Sequence, residues 1–243
     1  MEIAIIVPTL NEAENVQPLI TRIEQTGLAF SEIVFVDDGS TDGTRAQLHN
    51  LAKSHRVRLV ERNGSERGLA GAILAGAEST SAELLAIMDA DLSHPPQELA
   101  ALLRPILADE ADLVIGSRYV AGGATPGWPI WRRVISRLAS GLAYPLTGVS
   151  DSMCGFFAIR RDSLLRFGKT AIGFKIVFET IVRGRKTLRV QEVPIVFRNR
   201  ERGRSKMSLT EVIRFGLRWL RAIARRVFDR SPAAAAIPAA KAS

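Results

Sequence analysis

An α/β domain built on a mainly parallel sheet, flanked by helices, is the fold class this sequence predicts, and three observations carry it. Short apolar runs recur along residues 3–115, and segments of helical spacing separate them. Acidic residues cluster just past the C-terminal ends of several runs, at the edge where open parallel sheets bind ligands. Runs without polar alternation read as strands buried on both faces. Strands alternating with helices read as βαβ units.

The elements follow in order. Ile3 to Val7 is the first strand, and Glu12 to Gln25 is a helix with Val16, Leu19, Ile20 and Ile23 on one face. Ile33 to Val36 is the second strand, with a helix from about Thr41 to His55, and Val57 to Val60 is the third. Arg67 to Ser79 is rich in Ala and Gly, which suits a closely packed helix. Leu84 to Met88 is the fourth strand, a helix follows Pro95-Pro96, and Leu113 to Ile115 is the fifth strand. Past Arg118 the alternation breaks. Val120 to Pro129 is a Gly/Pro-rich loop, and Ile130 to Leu146 is a helix with Trp128, Trp131, Arg132, Arg133 and Arg137 around its start. Cys154 to Ile159 and Val190 to Phe197 are further strands, with helical residues between them. Asn199 to Lys206 is a basic loop, and Leu209 to Asp229 is a long amphipathic helix with Arg214, Arg218, Arg221 and Arg225 on one stripe. Ser231 to Ser243 is Ala/Pro-rich and expected to be disordered. The reading is one domain over residues 1–230, divided into halves 1–118 and 119–230, followed by a tail over 231–243. No internal repeat is present.

Composition bounds the function. The chain has 243 residues, 47% of them apolar, enough for a sizeable core. Its one cysteine, Cys154, excludes an intramolecular disulfide and fits a reducing compartment. The apolar start is too short for a signal peptide, and no stretch approaches the roughly 20 apolar residues that span a bilayer. The charge is divided. Residues 1–116 hold 8 Lys+Arg against 18 Asp+Glu, whereas residues 117–230 hold 24 against 7. Such a division suggests metal or carboxylate chemistry in one half and an anionic partner facing the other. A nucleic-acid module would show base-stacking aromatics or a docking motif. Aromatics are only 6% and the strand ends are acidic, so no nucleic-acid partner is expected.

The chemistry-bearing segments lie at the expected strand ends. Asp89 and Asp91 follow the fourth strand, and a pair of hard oxygen ligands there can hold Mg²⁺ or Mn²⁺ against nucleotide phosphates. Taken alone, D-x-D is more often two solvated loop acids. Pro8 to Glu12 ends the first strand and Asp37 to Thr44 follows the second, so acids from three strands share one edge. Ser40 or Thr41 can instead simply cap the next helix. Neither G-x-G-x-x-G after the first strand nor a P-loop is present. His49 and His55 read as surface residues, while His94, beside Asp91, reads as a contact to that loop or to the donor.

Four ordered segments, Val7-Pro8-Thr9-Leu10-Asn11-Glu12, Val36-Asp37-Asp38-Gly39-Ser40-Thr41-Asp42-Gly43-Thr44, Met88-Asp89-Ala90-Asp91-Leu92-Ser93-His94-Pro95-Pro96 and Gly116-Ser117-Arg118-Tyr119, resemble the inverting glycosyltransferases of family 2. Within that family they are most similar to the polyprenol-phosphate (dolichyl-phosphate) mannose synthases, and the similarity runs from about Ile3 to Lys206. The resemblance implies a GT-A, Rossmann-like fold and a divalent cation, Mg²⁺ or Mn²⁺. It implies that Asp89 and Asp91 sit on the metal and diphosphate, with Arg118 on phosphate oxygens. Pro8, Leu10, Glu12, Val36, Asp37, Asp38 and Ala90 would surround the nucleotide sugar, and Lys175, Arg200 and Lys206 would clamp the diphosphate. Asp151 to Phe157 matches the family's segment near the acceptor. Arg132 and Ser136, four apart on one helix face, match positions that contact the lipid phosphate together with Arg118. Three positions depart from the pattern: Ser93 stands where the mannose synthases usually carry Gln, a possible third metal ligand; Cys154 replaces Ser or Thr; and Arg204 replaces a common Glu.

The implied reaction is mannose transfer from GDP-mannose to a polyprenyl phosphate. A UDP-glucose or UDP-N-acetylhexosamine donor stands as the alternative, and a non-catalytic nucleotide-sugar-binding module as the non-enzymatic one. The implied setting is the cytoplasmic face of a membrane, reached peripherally, with a membrane-protein partner open. Trp128 and Trp131 beside Arg132 and Arg133 suit an interface with headgroups, or a helix packed on the sheet. The C-terminal basic helix suits either an interface or docking on protein.

Overall fold

The computed structural model describes residues 1–63, 67–173 and 175–199. The expectations for Arg200, Arg204, Lys206, the helix over 209–229 and the tail over 231–243 lie outside the described residues.

Seven strands form one sheet: β1 (Ile3–Thr9), β2 (Glu32–Asp37), β3 (Val57–Glu61), β4 (Leu84–Ile87), β5 (Leu113–Ser117), β6 (Phe157–Arg160) and β7 (Val190–Pro194), in the order β3-β2-β1-β4-β6-β5-β7. β1 to β4 run parallel, β5 pairs in parallel with β7, and β6 is antiparallel to both β4 and β5. The apolar runs read from the sequence are the buried centre of this sheet: Ile5, Ile6, Ile33, Val34, Phe35, Leu84, Leu85, Val114 and Ile115 are inaccessible to solvent. The helices are α1 (Ala13–Glu24), α2 (Thr44–Leu51), α3 (Gly68–Ser79), α4 (Leu99–Leu107), α5 (Ile130–Thr147), α6 (Arg161–Gly168) and α7 (Ile176–Gly184). No helix among the described residues is long and apolar enough to cross a membrane.

The topology dictates where chemistry can occur. β1 stands between β2 and β4, so the connections leave it in opposite directions and open a crevice at the C-terminal edge. β6 enters the sheet from that same edge because it runs against its neighbours. The residues just before it are thereby delivered to the crevice.

Among the boundaries that differ from the sequence reading, three have a clear local reason. α2 begins at Thr44, three residues later than expected, because Gly43 at its N-cap holds φ +91. β6 begins at Phe157, because Asp151 to Gly155 form a turn before the strand. β7 ends at Pro194, which has no N–H to donate. Beyond it, Ile195 and Phe197 lace onto Ala124 instead, through Ala124 N–H to Ile195 O at 3.0 Å and Phe197 N–H to Ala124 O at 2.9 Å.

α3 shows why its sequence is small. It packs on β1 and β2 so closely that a Cβ added at Gly76 would lie 2.6 Å from Ile6 Cγ2 and 3.0 Å from Val36 Cγ2. Both neighbours are β-branched and buried, so neither swings away. Gly76→Ala should therefore be destabilising. Overpacking costs about 1–3 kcal/mol, against about 1 kcal/mol recovered from helix propensity. Thermal melting tests this, and a melting temperature at or above that of the wild type would show that Ile6 has room to move.

Candidate active site

The turns after β1 and β2 form one unit. Asn11 N–H donates to Ser40 Oγ at 2.8 Å, Thr41 N–H to Asn11 Oδ1 at 2.8 Å, Glu12 N–H to Thr44 Oγ1 at 3.0 Å and Ala13 N–H to Asp42 Oδ2 at 3.1 Å. Asp37 is the centre of the second turn. Its carboxylate accepts from Gly39 N–H at 3.1 Å and Ser40 N–H at 3.0 Å, as well as from the Ser40 hydroxyl and Arg45 Nε. Burial alone would raise its pKa, but the hydrogen bonds from Ser40, Arg45 and Gly39 outweigh it and hold the carboxyl below its ordinary 3.8. Arg45 also donates to Arg62 O at 2.8 Å.

Asp37 and Val36, both expected around the nucleotide sugar, thus have structural work. The Val36 side chain is buried against α3, and the Asp37 carboxylate is occupied within its own turn. Asp38 is the neighbouring acid and pairs with Arg62 Nη1 at 2.5 Å, with burial raising its pKa against the pull of that guanidinium. Pro8 pairs with Val36 across the β1–β2 ladder, and Leu10 is exposed on the first turn. Glu12 accepts from Asn15 Nδ2 at 2.7 Å at the start of α1.

The turn after β4 is built around a strained residue. Leu92 holds φ +61, a left-handed conformation that a branched side chain adopts only under constraint. Asp91 Oδ1 accepts from Ser93 N–H at 3.0 Å and closes the turn. Asp91 and Ala90 are buried, whereas the Asp89 side chain is 36% exposed. The buried Ser93 hydroxyl has no hydrogen-bond partner among the described residues, an orphaned oxygen beside Asp91.

His94 fixes the turn from below. Its Nδ1 accepts the Asp89 backbone N–H at 3.0 Å, its ring stacks on Phe156 at 5.1 Å, and Phe197 meets it edge-on at 5.3 Å. Burial lowers its pKa, so the ring is neutral at pH 7. Gly155 passes beside both groups: a Cβ there would lie 3.5 Å from the His94 ring and 3.7 Å from Asp89 Oδ1. His49 and His55 lie at the surface, as expected, paired with Glu61 and Glu24.

Opposite the acids stand the cations. Arg118 Nε and Nη2 donate to the two oxygens of Asp151 at 2.7 and 2.8 Å, and the Arg118 backbone N–H adds a third bond at 3.0 Å. The arginine side chain is 8% exposed and the aspartate side chain is fully buried. Burial opposes the guanidinium charge, but Asp151 more than offsets it, and Arg118 stays protonated. Glu192 holds the aspartate's turn by accepting from Ser150 and Asp151 N–H at 2.7 and 3.0 Å. Nearby, burial pushes the Cys154 thiol up to about 12, so it is not a nucleophile at neutral pH.

The acceptor-side residues expected from the sequence do come together. The Arg132 guanidinium lies 3.9 Å from the Trp128 ring centroid and the Arg118 guanidinium 5.3 Å from it. Tyr119 OH donates to Ser136 Oγ at 2.5 Å. Trp128 is only 5% exposed, which corrects the interface reading for that residue, whereas Trp131 is 65% exposed. Lys175 stands at the N-cap of α7, just after Gly173, which bonds to Arg67 and Ala70 at the start of α3. α3 leaves the same sheet edge where β3 ends. Sequence reasoning missed the partners: Asp151 for Arg118, Glu192 for the turn, and Trp128 and Phe197 as aromatic support. Asp151, within the segment matched to the family, and Trp128, beside Arg132, were marked in the sequence without their partners, and Glu192 stood only as an acid within a strand-like run.

Two predictions follow from these pairs. Asp151→Asn leaves a buried guanidinium without its counter-charge and should cost about 3–5 kcal/mol; denaturant unfolding measures it, and a loss below about 1 kcal/mol would mean that Arg118 finds water instead. The second concerns acid stability. Because the folded-state pKa of Asp37 lies below that of the unfolded chain, its contribution is complete above the ordinary 3.8 and is lost as pH falls through the folded value. Asp37→Asn should therefore lose less stability than the wild type between about pH 5 and pH 3, and equal losses would exclude this.

The glycosyl transferase family 2 model matches residues 4–168. The chain is 38% identical to a dolichol-phosphate mannosyltransferase of Pyrococcus furiosus, over 85% of this chain and 59% of that one, so it spans less than two thirds of that relative. It is 37% identical to the dolichol-phosphate mannosyltransferase of Saccharomyces cerevisiae, over 88% and 84%, and 40% identical to the polyprenol monophosphomannose synthase of Mycolicibacterium smegmatis, over 84% and 80%. Among solved structures it resembles the glucosyl-3-phosphoglycerate synthase of Mycobacterium tuberculosis in complex with Mn²⁺, UDP-glucose and phosphoglyceric acid. The TM-score is 0.69 at 20% identity, over 93% and 79% of the two chains, and supports the GT-A-like fold. With the family model matched over most of its length and relatives of this identity covering most of both chains, the protein belongs to glycosyl transferase family 2.

Proposed function

We propose that this enzyme transfers mannose from GDP-mannose to a polyprenyl phosphate, with inversion at the sugar. The observation that carries the reading is the acidic turn of Asp89 and Asp91 after β4, together with a guanidinium pair on the Trp128 ring: Arg118 from the end of β5, and Arg132 from α5, whose outer face is apolar. Relatives at 37–40% identity named dolichol-phosphate mannosyltransferase or polyprenol monophosphomannose synthase support the sugar and the acceptor.

The residues suit the chemistry. A phosphate monoester is already anionic at neutral pH, with a second pKa of about 6, so its oxygen can attack without a strong general base. That oxygen bonds to the anomeric carbon from the face opposite the nucleotide, the bond to the diphosphate breaks, and the nucleoside diphosphate leaves. Arg118, Arg132 and Ser136 hold the acceptor phosphate, and Lys175 steadies the leaving group, with Arg200 and Lys206 assigned the same task. Glu12, Asp38 and the first turn around Pro8 and Leu10 bind the nucleoside edge.

A divalent cation fits the acidic turn. Asp89 and Asp91 supply hard oxygen ligands, and the orphaned Ser93 hydroxyl lies beside them. Among the described residues no group of three His, Cys, Asp or Glu gathers at one point, so the donor phosphates would complete the shell. When bound, Mg²⁺ or Mn²⁺ neutralises charge developing on the diphosphate.

The lipid acceptor supports a peripheral position on the cytoplasmic face of a membrane. α5 turns Ile130, Trp131, Val134, Ile135, Leu138 and Leu142 outward, and its sequence contains no acid. An apolar face flanked by Arg132, Arg133 and Arg137 suits the headgroup boundary of an anionic bilayer.

The test supplies polyprenyl phosphate, Mg²⁺ or Mn²⁺, and labelled GDP-mannose, UDP-glucose or UDP-N-acetylglucosamine, and reads label in the lipid phase. Label from GDP-mannose is expected; label from a UDP-sugar alone would overturn the donor, and none from any would overturn the reaction. Asp91→Ala should fold normally and lose transfer by about 10³-fold. Undiminished wild-type transfer in saturating chelator would refute the role of the metal.

A further inference from the structure

We infer that Trp128 is a positioning residue: its buried indole sets the Arg132 guanidinium against that of Arg118 so that both present N–H groups to one acceptor phosphate. The inference rests on the lipid-phosphate reading above.

Trp128 lies in a Gly/Pro-rich loop, where a large aromatic residue is ordinarily exposed, yet almost none of it reaches solvent. Both its ring and its backbone are held. Phe197 packs edge-on at 5.3 Å, and the backbone is pinned by Trp128 N–H to Thr125 O at 3.3 Å and Arg133 Nε to Trp128 O at 3.2 Å. On this fixed ring the Arg132 guanidinium rests at 3.9 Å, a stacking distance, with that of Arg118 at 5.3 Å. Two cations can share one ring because Asp151 compensates Arg118.

The indole nitrogen decides between packing and positioning. Trp128 Nε1–H is buried with no acceptor among the described residues. A buried orphan donor is unfavourable, and a phenyl ring would fill much of the same space without one. What tryptophan alone supplies is the larger, more electron-rich face, which is the strongest aromatic platform for a guanidinium. The same ring line reaches the donor side. Phe197 also meets His94, whose Nδ1 holds the Asp89 N–H, so the acceptor cations and the acidic turn share one aromatic support.

The experiment compares wild-type protein, Trp128→Phe and Trp128→Leu for KM toward a short-chain isoprenyl phosphate in detergent, KM toward the nucleotide sugar, kcat and melting temperature. Trp128→Leu should raise the lipid-phosphate KM about tenfold and Trp128→Phe about two- to threefold, with the nucleotide-sugar KM within about twofold of wild type for both. The phenyl variant should melt close to the wild type, because it removes an unsatisfied N–H. Equal shifts in both KM values, or none in either, would overturn the inference. If Trp128→Leu does not fold, the phenyl variant decides alone: an unchanged lipid-phosphate KM overturns the inference, and a raised one with an unchanged nucleotide-sugar KM supports it. Wild-type protein that labels no lipid would bring down the lipid-acceptor reading itself, whereas active wild type with unaltered variants brings down only the role of Trp128.

Discussion

The buried ion pair of Arg118 and Asp151 is the constraint on which the site depends. Taking both charges out of water is costly, and only close, multiple hydrogen bonds recover that cost. Three bonds do so here, and Glu192 extends the arrangement by holding the turn that carries Asp151. The consequence is geometric. The end of β5, the segment entering β6 and the body of β7 are locked together, and the locked segment passes Gly155 beside Asp89. A methyl group at Gly155 would sit in ordinary van der Waals contact with His94 and Asp89, so the segment passes close beside both without being jammed against them.

The charge division along the chain takes on a physical meaning in this frame. Acids from the first half end parallel strands at one edge, and the second half brings cations to the same edge by two routes. One is the end of β5, which carries Arg118, and the other is α5, which carries Arg132. The acids are also divided. Asp37 is spent on its own turn, with Ser40 and Arg45 as partners, whereas Asp89 keeps an exposed carboxylate. Two acids at one sheet edge thus have different tasks because one is surrounded by donors and the other stands at an opening.

Much of this was legible in the sequence, and the exceptions share a cause. β1, β2, β4 and β5 read correctly because buried parallel strands are nearly continuous apolar runs. The acidic strand ends were legible as local patterns, whereas spacing placed Arg132 and Ser136 only on one helix face and the family resemblance supplied their role. What escaped was pairing at a distance. Arg118 meets Asp151 thirty-three positions later, and Ser150 meets Glu192 forty-two positions later. Nothing in local spacing marks such partners. Trp128 escaped for the same reason: its burial depends on Phe197, which arrives from beyond β7. The start of α2 at Gly43 and the end of β7 at Pro194 slipped because single residues, a left-handed glycine and a proline without a donor, override the apolar pattern.

Periodicity also finds the stripe on a helix without saying which way it faces, and α5 shows the difference. Its inward face carries Arg132, Ser136, Ser140, Ala143 and Thr147, at spacings of four, four, three and four, and its outward face carries the large apolar side chains. Rotating the helix to bury the apolar face would satisfy the hydrophobic effect locally, but would carry Arg132 away from Trp128 and Ser136 away from Tyr119. The two demands cannot both be met by one helix in water. That the helix keeps its polar face on the site means that contacts such as the Arg132–Trp128 stack and the Tyr119–Ser136 bond decide its orientation. The unburied apolar face is then a consequence of building the site, and under the proposed lipid-phosphate reading a bilayer boundary would relieve that exposure.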